Sequence, residues 1–220
     1  MDYFSFNLDS SQTTLEDKYP EAQHETFLEF MHALSDGKAF PSGQICPVEM
    51  QIGSDNEKPS DAGLLSGSPA LSPRAQSIIN SVAADQVQFI PIHHKPNPES
   101  KYQVEETYAW LNVLNRVSCL EFIYGETLAR RPKLDVDQSK WIPRDPAPII
   151  KEIRFYPEKV EGLHIFRPHE WSPAMVISSV LHEAMVNVGL TGLAYEPMEE
   201  WLVKIRKVEN KSEGFYPGVS

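Results

Sequence analysis

The sequence predicts a mixed α+β fold, a largely antiparallel sheet with packed helices, and three observations predict it. Short runs such as "MDYFSFNLD", "VQFIPI" and "LAYEPM" have the alternation or bounded apolar character of strands. Two longer stretches carry an N-cap serine followed by apolar residues at helical spacing. The sequence cap, stripe, strand occurs twice, over 71–92 and 177–198.

Taken in order, "MDYFSFNLD" is the opening strand, with Tyr3 and Ser5 on one face and Phe4, Phe6 and Leu8 on the other. "PEAQHETFLEFMHALSDG" is a helix with Pro20 in the first turn and Gly37 as the stop. Phe27, Phe30, Met31 and Leu34 line its apolar face, and Glu21, Glu25 and Glu29 recur at i, i+4 on the other. "GSDNEKPSDAGLLSGSP" has the composition of a loop. In Leu71–Ile92, Ser72 caps a helix, Pro73 is its first residue and Ala75, Ile78, Ile79 and Val82 form its stripe, with "VQFIPI" as the strand after it. "HHKPNPES" reads as a loop. "ETYAWLNVLNRVSCLEF" reads as a long strand and an irregular passage. "RRPKLDVDQSKWIPRDPAP" is a Pro-rich connection, and "IIKEIRFYPEKVEGLHIFRP" reads as a hairpin around "PEKVEG". A second capped helix follows from Ser178, then "LAYEPM" as a strand. The last segment is mixed in pattern, and residues 202–220 read as a basic tail.

Shifting the chain by 106 lays Leu71–Ile92 on Ile177–Met198 without a gap. Ser72 falls on Ser178, Val82 on Val188 and Pro91 on Pro197, the three identities in the overlap. The stripe Ala75, Ile78, Ile79, Val82 falls on Leu181, Ala184, Met185, Val188. The spacing far exceeds the roughly 20–50 residues of stacked repeats, so the expectation is two related helix–strand units within a single domain spanning 1–220.

The net charge of −11 is uneven. Residues 1–62 hold twelve acids against Lys18, Lys38 and Lys58, a balance of −9, which leaves −2 for the rest. Nucleic-acid binding normally needs a basic face, so nucleic acid is not an expected partner. An acidic face suits a basic protein, although most acidic surfaces serve only solubility. Cys46 and Cys119 make no disulfide framework. The opening residues have neither the basic nor the apolar stretch of a secretory signal, and no apolar run approaches the roughly 20 residues of a membrane span. A cytoplasmic chain with no membrane partner is the expectation.

"SSVLHEAMVNVGLTG" begins like the zinc-protease signature H-E-x-x-H, but Val186 stands where the second ligand is needed. His182 and Glu183 then fall on the flank of the apolar stripe. His93 and His94 lie in a Pro-rich stretch, His164 and His169 flank "IFRP", and Asp135–Asp137 lacks the rest of a calcium loop. Cys119 sits among apolar neighbours, the setting of an inert thiol. No nucleophile elbow, phosphate loop or dinucleotide fingerprint is present. The reading is therefore of no catalytic residue, no metal and no cofactor.

The strings "YAWLNVLNRVSCLEF", "GLHIFRPHEWSPAMVISSVLHEAM" and "GLTGLAYEPM" resemble a family of bacterial immunity proteins, once a domain of unknown function, associated with polymorphic toxin systems. "LHIFRP" and "GLTGLAYEPM", in this order and spacing, are its most specific parts. The chain departs at "VSCLEF", where Ser118 replaces one acid of a family "DCLD" and Glu121 keeps the other. The resemblance covers about 60–198 and leaves 1–60 as an acidic, variable part. It implies a protein that binds and neutralises a cognate toxin by steric block, without catalysis. A nuclease toxin would be basic and suited to acidic capture. The contact candidates are then Glu21, Glu25, Glu29, Asp55, Glu57 and Asp61 as acids, with Trp171 as an exposed aromatic. The competing readings are a hydrolase with a non-contiguous site and an adaptor for another bacterial system. The oligomeric state is not legible.

Overall fold

The structure is a computed structural model. It describes residues 1–8, 15–18, 24–44, 49–52, 59–65, 68–95, 98, 107–128, 133–135, 140–142, 145–171 and 174–212. The chain runs β1 (Tyr3–Leu8), β2 (Leu15–Lys18), α1 (His24–Ser35), β3 (Glu49–Ile52), β4 (Ala62–Leu65), β5 (Ser68–Leu71) and α2 (Pro73–Ala83). It continues through β6 (Val87–Pro91), β7 (His93–His94), β8 (Ala109–Val113), β9 (Arg116–Val117), β10 (Leu120–Leu128), β11 (Lys133–Asp135) and β12 (Lys140–Ile142). After β13 (Ala147–Phe155) and a 3-10 turn at Pro157–Val160 come β14 (Ile165–Pro168), β15 (Met175–Ser178), α3 (Ser179–Asn187), β16 (Leu193–Pro197) and α4 (Met198–Ser212). The fold is mixed α+β with largely antiparallel pairing, as the sequence predicts.

Two sheets dominate, ordered β4-β5-β8-β6 and β16-β1-β15-β14-β9. In the first, β5, α2 and β6 form a strand–helix–strand unit with antiparallel β8 between its two strands. In the second, β15, α3 and β16 do the same around β1. The registers coincide under the shift of 106. Leu71 and Pro91 both pair with Ala109. Their counterparts Ile177 and Pro197 both pair with Phe4. β4 flanks β5 as β14 flanks β15, Ala62 facing Leu71 and Ile165 facing Ile177. The two units thus share one topology and one register, which extends the repeat legible in the sequence to a third and a fourth strand.

Each unit turns its helix side to the other. Leu71, Ala75 and Ile79 meet Ile177, Leu181 and Met185, the same stripe twice, in one shared core that also holds Phe6 and Leu111. The opposite faces are covered separately. Under the first sheet, Phe30 and Leu34 of α1 pack on Ala70, Ile90 and Trp110. Under the second, Trp201 and Ile205 of α4 pack with Leu120, Ile150 and Ile153 against Tyr3, Phe166 and Val176. The alternation of β1 is divided between two cores, with Tyr3 in one and Phe6 in the other.

Both cap serines do their expected work. Ser72 Oγ accepts from the Ala75 amide at 3.2 Å and Ser178 Oγ from the Leu181 amide at 3.3 Å. Gly37 ends α1 with φ +66, and a Cβ there would lie 2.8 Å from the Val113 carbonyl. The stripes are narrower than the sequence suggested: Ile78 and Val82 are half-buried and Val188 is exposed.

Five expectations are corrected. The stretch read as a loop before Leu71 contains the paired strands β4 and β5, buried at nearly every position. "IIKEIRF" and "HIFRP" do not form a hairpin: β13 pairs with β10, β14 pairs with β15 and β9, and the 3-10 turn separates them. The Pro-rich connection contains the pair β11–β12, and His93 and His94 form a short strand on β3. Residues 202–212, read as part of a tail, complete α4, whose Trp201 and Ile205 face the core one turn apart.

Candidate functional site

The sequence stretches "LHIFRP" and "GLTGL" meet in one construction, a reciprocal clamp between the two units. The loop after α3 reaches the start of β4. Thr191 Oγ1 accepts from the Asp61 amide at 3.0 Å, and the Thr191 carbonyl accepts from the Ala62 amide at 3.1 Å. Gln86, which follows α2, does the corresponding thing at the start of β14. Its Oε1 accepts from the His164 and Ile165 amides at 2.7 and 3.1 Å. Asp61 and His164 occupy matching places, and each ties down its own unit's cap. Ser72 Oγ donates to Asp61 Oδ1 at 2.9 Å, and His164 Nδ1 lies 2.9 Å from Ser178 Oγ.

Asp61 is the centre of this clamp. Its Oδ2 accepts from the Thr191 amide at 3.0 Å and hydroxyl at 3.1 Å, and pairs with Arg74 at 3.3 Å. Arg74 also donates to the Val188 carbonyl. Replacing Asp61 with alanine strips partners from Thr191, Ser72 and Arg74 together. The expected loss is about 2–3 kcal/mol, as for a hydrogen-bonded charged group. A urea midpoint unchanged from wild type would contradict this.

The sequence-predicted contact residues fall in different settings. Glu21, Asp55 and Glu57 lie outside the described residues, as does Pro20. Glu25 lies on α1 and Glu29 is exposed there. The Asp61 carboxylate is engaged within the fold, as described. Trp171 is half-buried and packs against the core beneath the second sheet, its carbonyl accepting from the Ala174 amide. Glu170 beside it accepts from the amides of Cys119 and Leu120 at 3.3 and 3.2 Å, fixing the entry to β10. Cys119 is fully buried, and burial, then Glu170, pushes its thiol up to about 12, far from the thiolate range. Burial and then Arg116 bring the Arg167 guanidinium of "HIFRP" down to about 10. Arg116 donates to Asp36 at 2.9 Å at the end of α1.

His182 stands on a flank of α3 and is half-buried. Its ring stacks on Phe4 with centroids 4.1 Å apart and meets Tyr195 edge-on at 4.7 Å. Burial lowers its pKa, and Glu183 opposes this. The unfolded chain, near 6.5, therefore takes up the proton first. The contribution of neutral His182 is complete above that value and is lost as pH falls through it toward the folded pKa. Wild type should lose more melting temperature than His182→Gln between about pH 7.5 and 5.5; equal losses would contradict the sandwich. Among the described residues no three His, Cys, Asp or Glu side chains are grouped to hold a metal ion, and no helix is long and apolar enough to cross a membrane.

One residue that the sequence reading did not single out is Tyr124. It is the one exposed Phe, Tyr or Trp among the residues whose burial is described. A glycine follows it, and Gly inside a strand pattern is a signal of a bulge; that signal was available in "EFIYGETL".

Comparison with known families places the chain, whose motifs "LHIFRP" and "GLTGL" form this clamp, in a class, the immunity proteins. The particular family is Imm11: the model described as "Immunity protein family (Imm11)" matches residues 3–200, and the chain belongs to that family. The match begins at β1, so the first 60 residues are part of the family region, where the motif resemblance began only near residue 60. This agrees with β1 serving as the central strand of the second unit. No curated protein matches the chain.

Proposed function

We propose that this chain binds a cognate toxin in the cytoplasm of the producing cell and neutralises it by steric block, with no catalysis of its own. The observation that carries the reading is the family match over residues 3–200. The charge balance of −9 over residues 1–62 supports a basic toxin, of which a nuclease is one kind, captured by complementarity. In this reading the acids Glu21, Glu25, Glu29, Asp55, Glu57 and Asp61 favour the encounter through their charge, and Trp171 is an aromatic contact. A polymorphic toxin system is the setting that the resemblance implies.

The test is co-expression with the toxin encoded beside this chain's gene. Growth should be rescued and the two proteins should co-purify; neither happening would sink the reading. If the acids steer association, its rate should fall as salt rises and the Debye length shrinks. A salt-independent rate would remove steering and leave neutralisation standing.

A further inference from the structure

The strands β10 and β13 form a two-stranded ribbon in the segment joining β8 to β14. The corresponding segment of the other unit, between β1 and β4, holds α1 between the paired strands β2 and β3. One edge of it is closed. Asn210 of α4 donates to the Ile150 carbonyl at 3.0 Å and accepts from the Ile150 amide at 2.8 Å, as a neighbouring strand would. Arg206 adds a bond to the Lys151 carbonyl at 2.9 Å. Among the described residues no strand pairs with the other edge, that of β10.

Tyr124 lies in the middle of β10 and is 58% exposed. Leu120 and Phe122 face the core under the second sheet. Strict alternation would send Tyr124 the same way. The pairing shifts register between Ile123 and Tyr124 and again between Tyr124 and Thr127. The pairing is thus irregular on both sides of Tyr124, and its ring is exposed to solvent. Tyrosine is among the residues that carry binding energy at protein interfaces, and open edges accept strands.

We propose that the open edge of β10, centred on Tyr124, is a docking site for an extended basic segment of the toxin, which joins the ribbon as a third strand. This rests on the immunity reading above. Charge decides between two occupants. β10 carries Glu121 and Glu126 and no base. A second copy pairing antiparallel about Ile123 and Tyr124 would set Glu121 opposite Glu126 at both ends, and like charges directly opposite are destabilising. Glu121 also accepts from the Tyr156 hydroxyl at the end of this ribbon. A segment with Lys or Arg at those places turns the same positions into attraction.

The experiment uses the full chain and the toxin domain encoded beside its gene, with wild type, Tyr124→Ala, Glu126→Lys and the exposed control Val208→Ala. Wild type and control should protect cells and bind alike. Tyr124→Ala should weaken binding at least about tenfold, as a truncated interface aromatic does, and Glu126→Lys should slow association, both at wild-type melting temperature. Amide exchange of the wild-type complex should show new protection over 121–127. Wild-type protection with undiminished binding by both variants, or no added protection over 121–127, overturns the docking site while the immunity reading stands. Failure of the wild type to bind or protect overturns both. A dimer of the chain alone that Tyr124→Ala dissolves would assign this edge to a second copy and overturn the proposal.

Discussion

Gly192→Ala is expected to destabilise the protein by about 4 kcal/mol or more, among the largest effects of a single substitution. Gly192 has φ +79, and a Cβ there would lie 2.0 Å from the Ala62 carbonyl oxygen and 2.8 Å from Ser60 Oγ. Backbone cannot swing aside as a side chain can. Ala62 is held by its own strand pairing and by the Thr191 carbonyl. Relief therefore means opening the clamp between the units. Gly189, three residues earlier in the same loop, separates conformation from contact. Its φ is +65, but nothing lies within 4 Å of a Cβ there. Gly189→Ala should cost only the left-handed strain, about 1–2 kcal/mol. Urea midpoints of the two variants make the comparison, and equal losses would show that close approach to Ala62 is unimportant.

Phe6→Ala should cost about 3–5 kcal/mol, the usual range for emptying a buried aromatic site. Phe6 is 1% exposed and sits in the shared core between the units. It occupies the place that Leu111 holds in the first unit, since Phe4 and Ala109 are the matched register positions. The cavity would open between two sheets that are each pinned by pairing, so collapse would be incomplete. Asn7→Ala, at the next position on the exposed side of the strand, should stay within about 1 kcal/mol, losing only a local bond to Ser5. Thermal melts would decide; a Phe6→Ala protein as stable as Asn7→Ala would mean that β1 is not the central strand it is taken to be.

Features closed within a few residues were legible. Ser72 and Ser178 bond amides three positions on, Gly37 stops its own helix, and the apolar stripes repeat within two turns. β4 and β5 were not legible, because burial on both faces removes the alternation that marks a strand, and Gly, Ser and Pro then resemble a loop. The hairpin expected around "PEKVEG" failed for another reason. The strand that β13 pairs with begins at Leu120, and adjacency in sequence says nothing about so distant a partner. α4 looked mixed because only Met198, Trp201 and Ile205 are buried on it, amid lysines and glutamates.

The candidate site divides in the same way. Acidity is a property of composition, so the sequence alone established the charge of the first third. Whether an acid meets solvent or a neighbour is a property of packing. Asp61 is spent on Thr191, Ser72 and Arg74, one of them 130 residues away, and no local pattern distinguishes it from Glu29.

By itself the sequence determined the α+β class, the two capped helices, the repeat at a shift of 106 and the motifs that carry the family. The tertiary structure decided what those motifs do. "GLTGL" and "LHIFRP" are halves of one clamp, His182 packs between two aromatic rings, and Tyr124 is exposed where the β10–β13 pairing shifts register. The reason is physical: caps and stripes are satisfied by neighbours three or four residues away, whereas strand pairing, clamp bonds and exposure depend on residues that only the folded chain brings together.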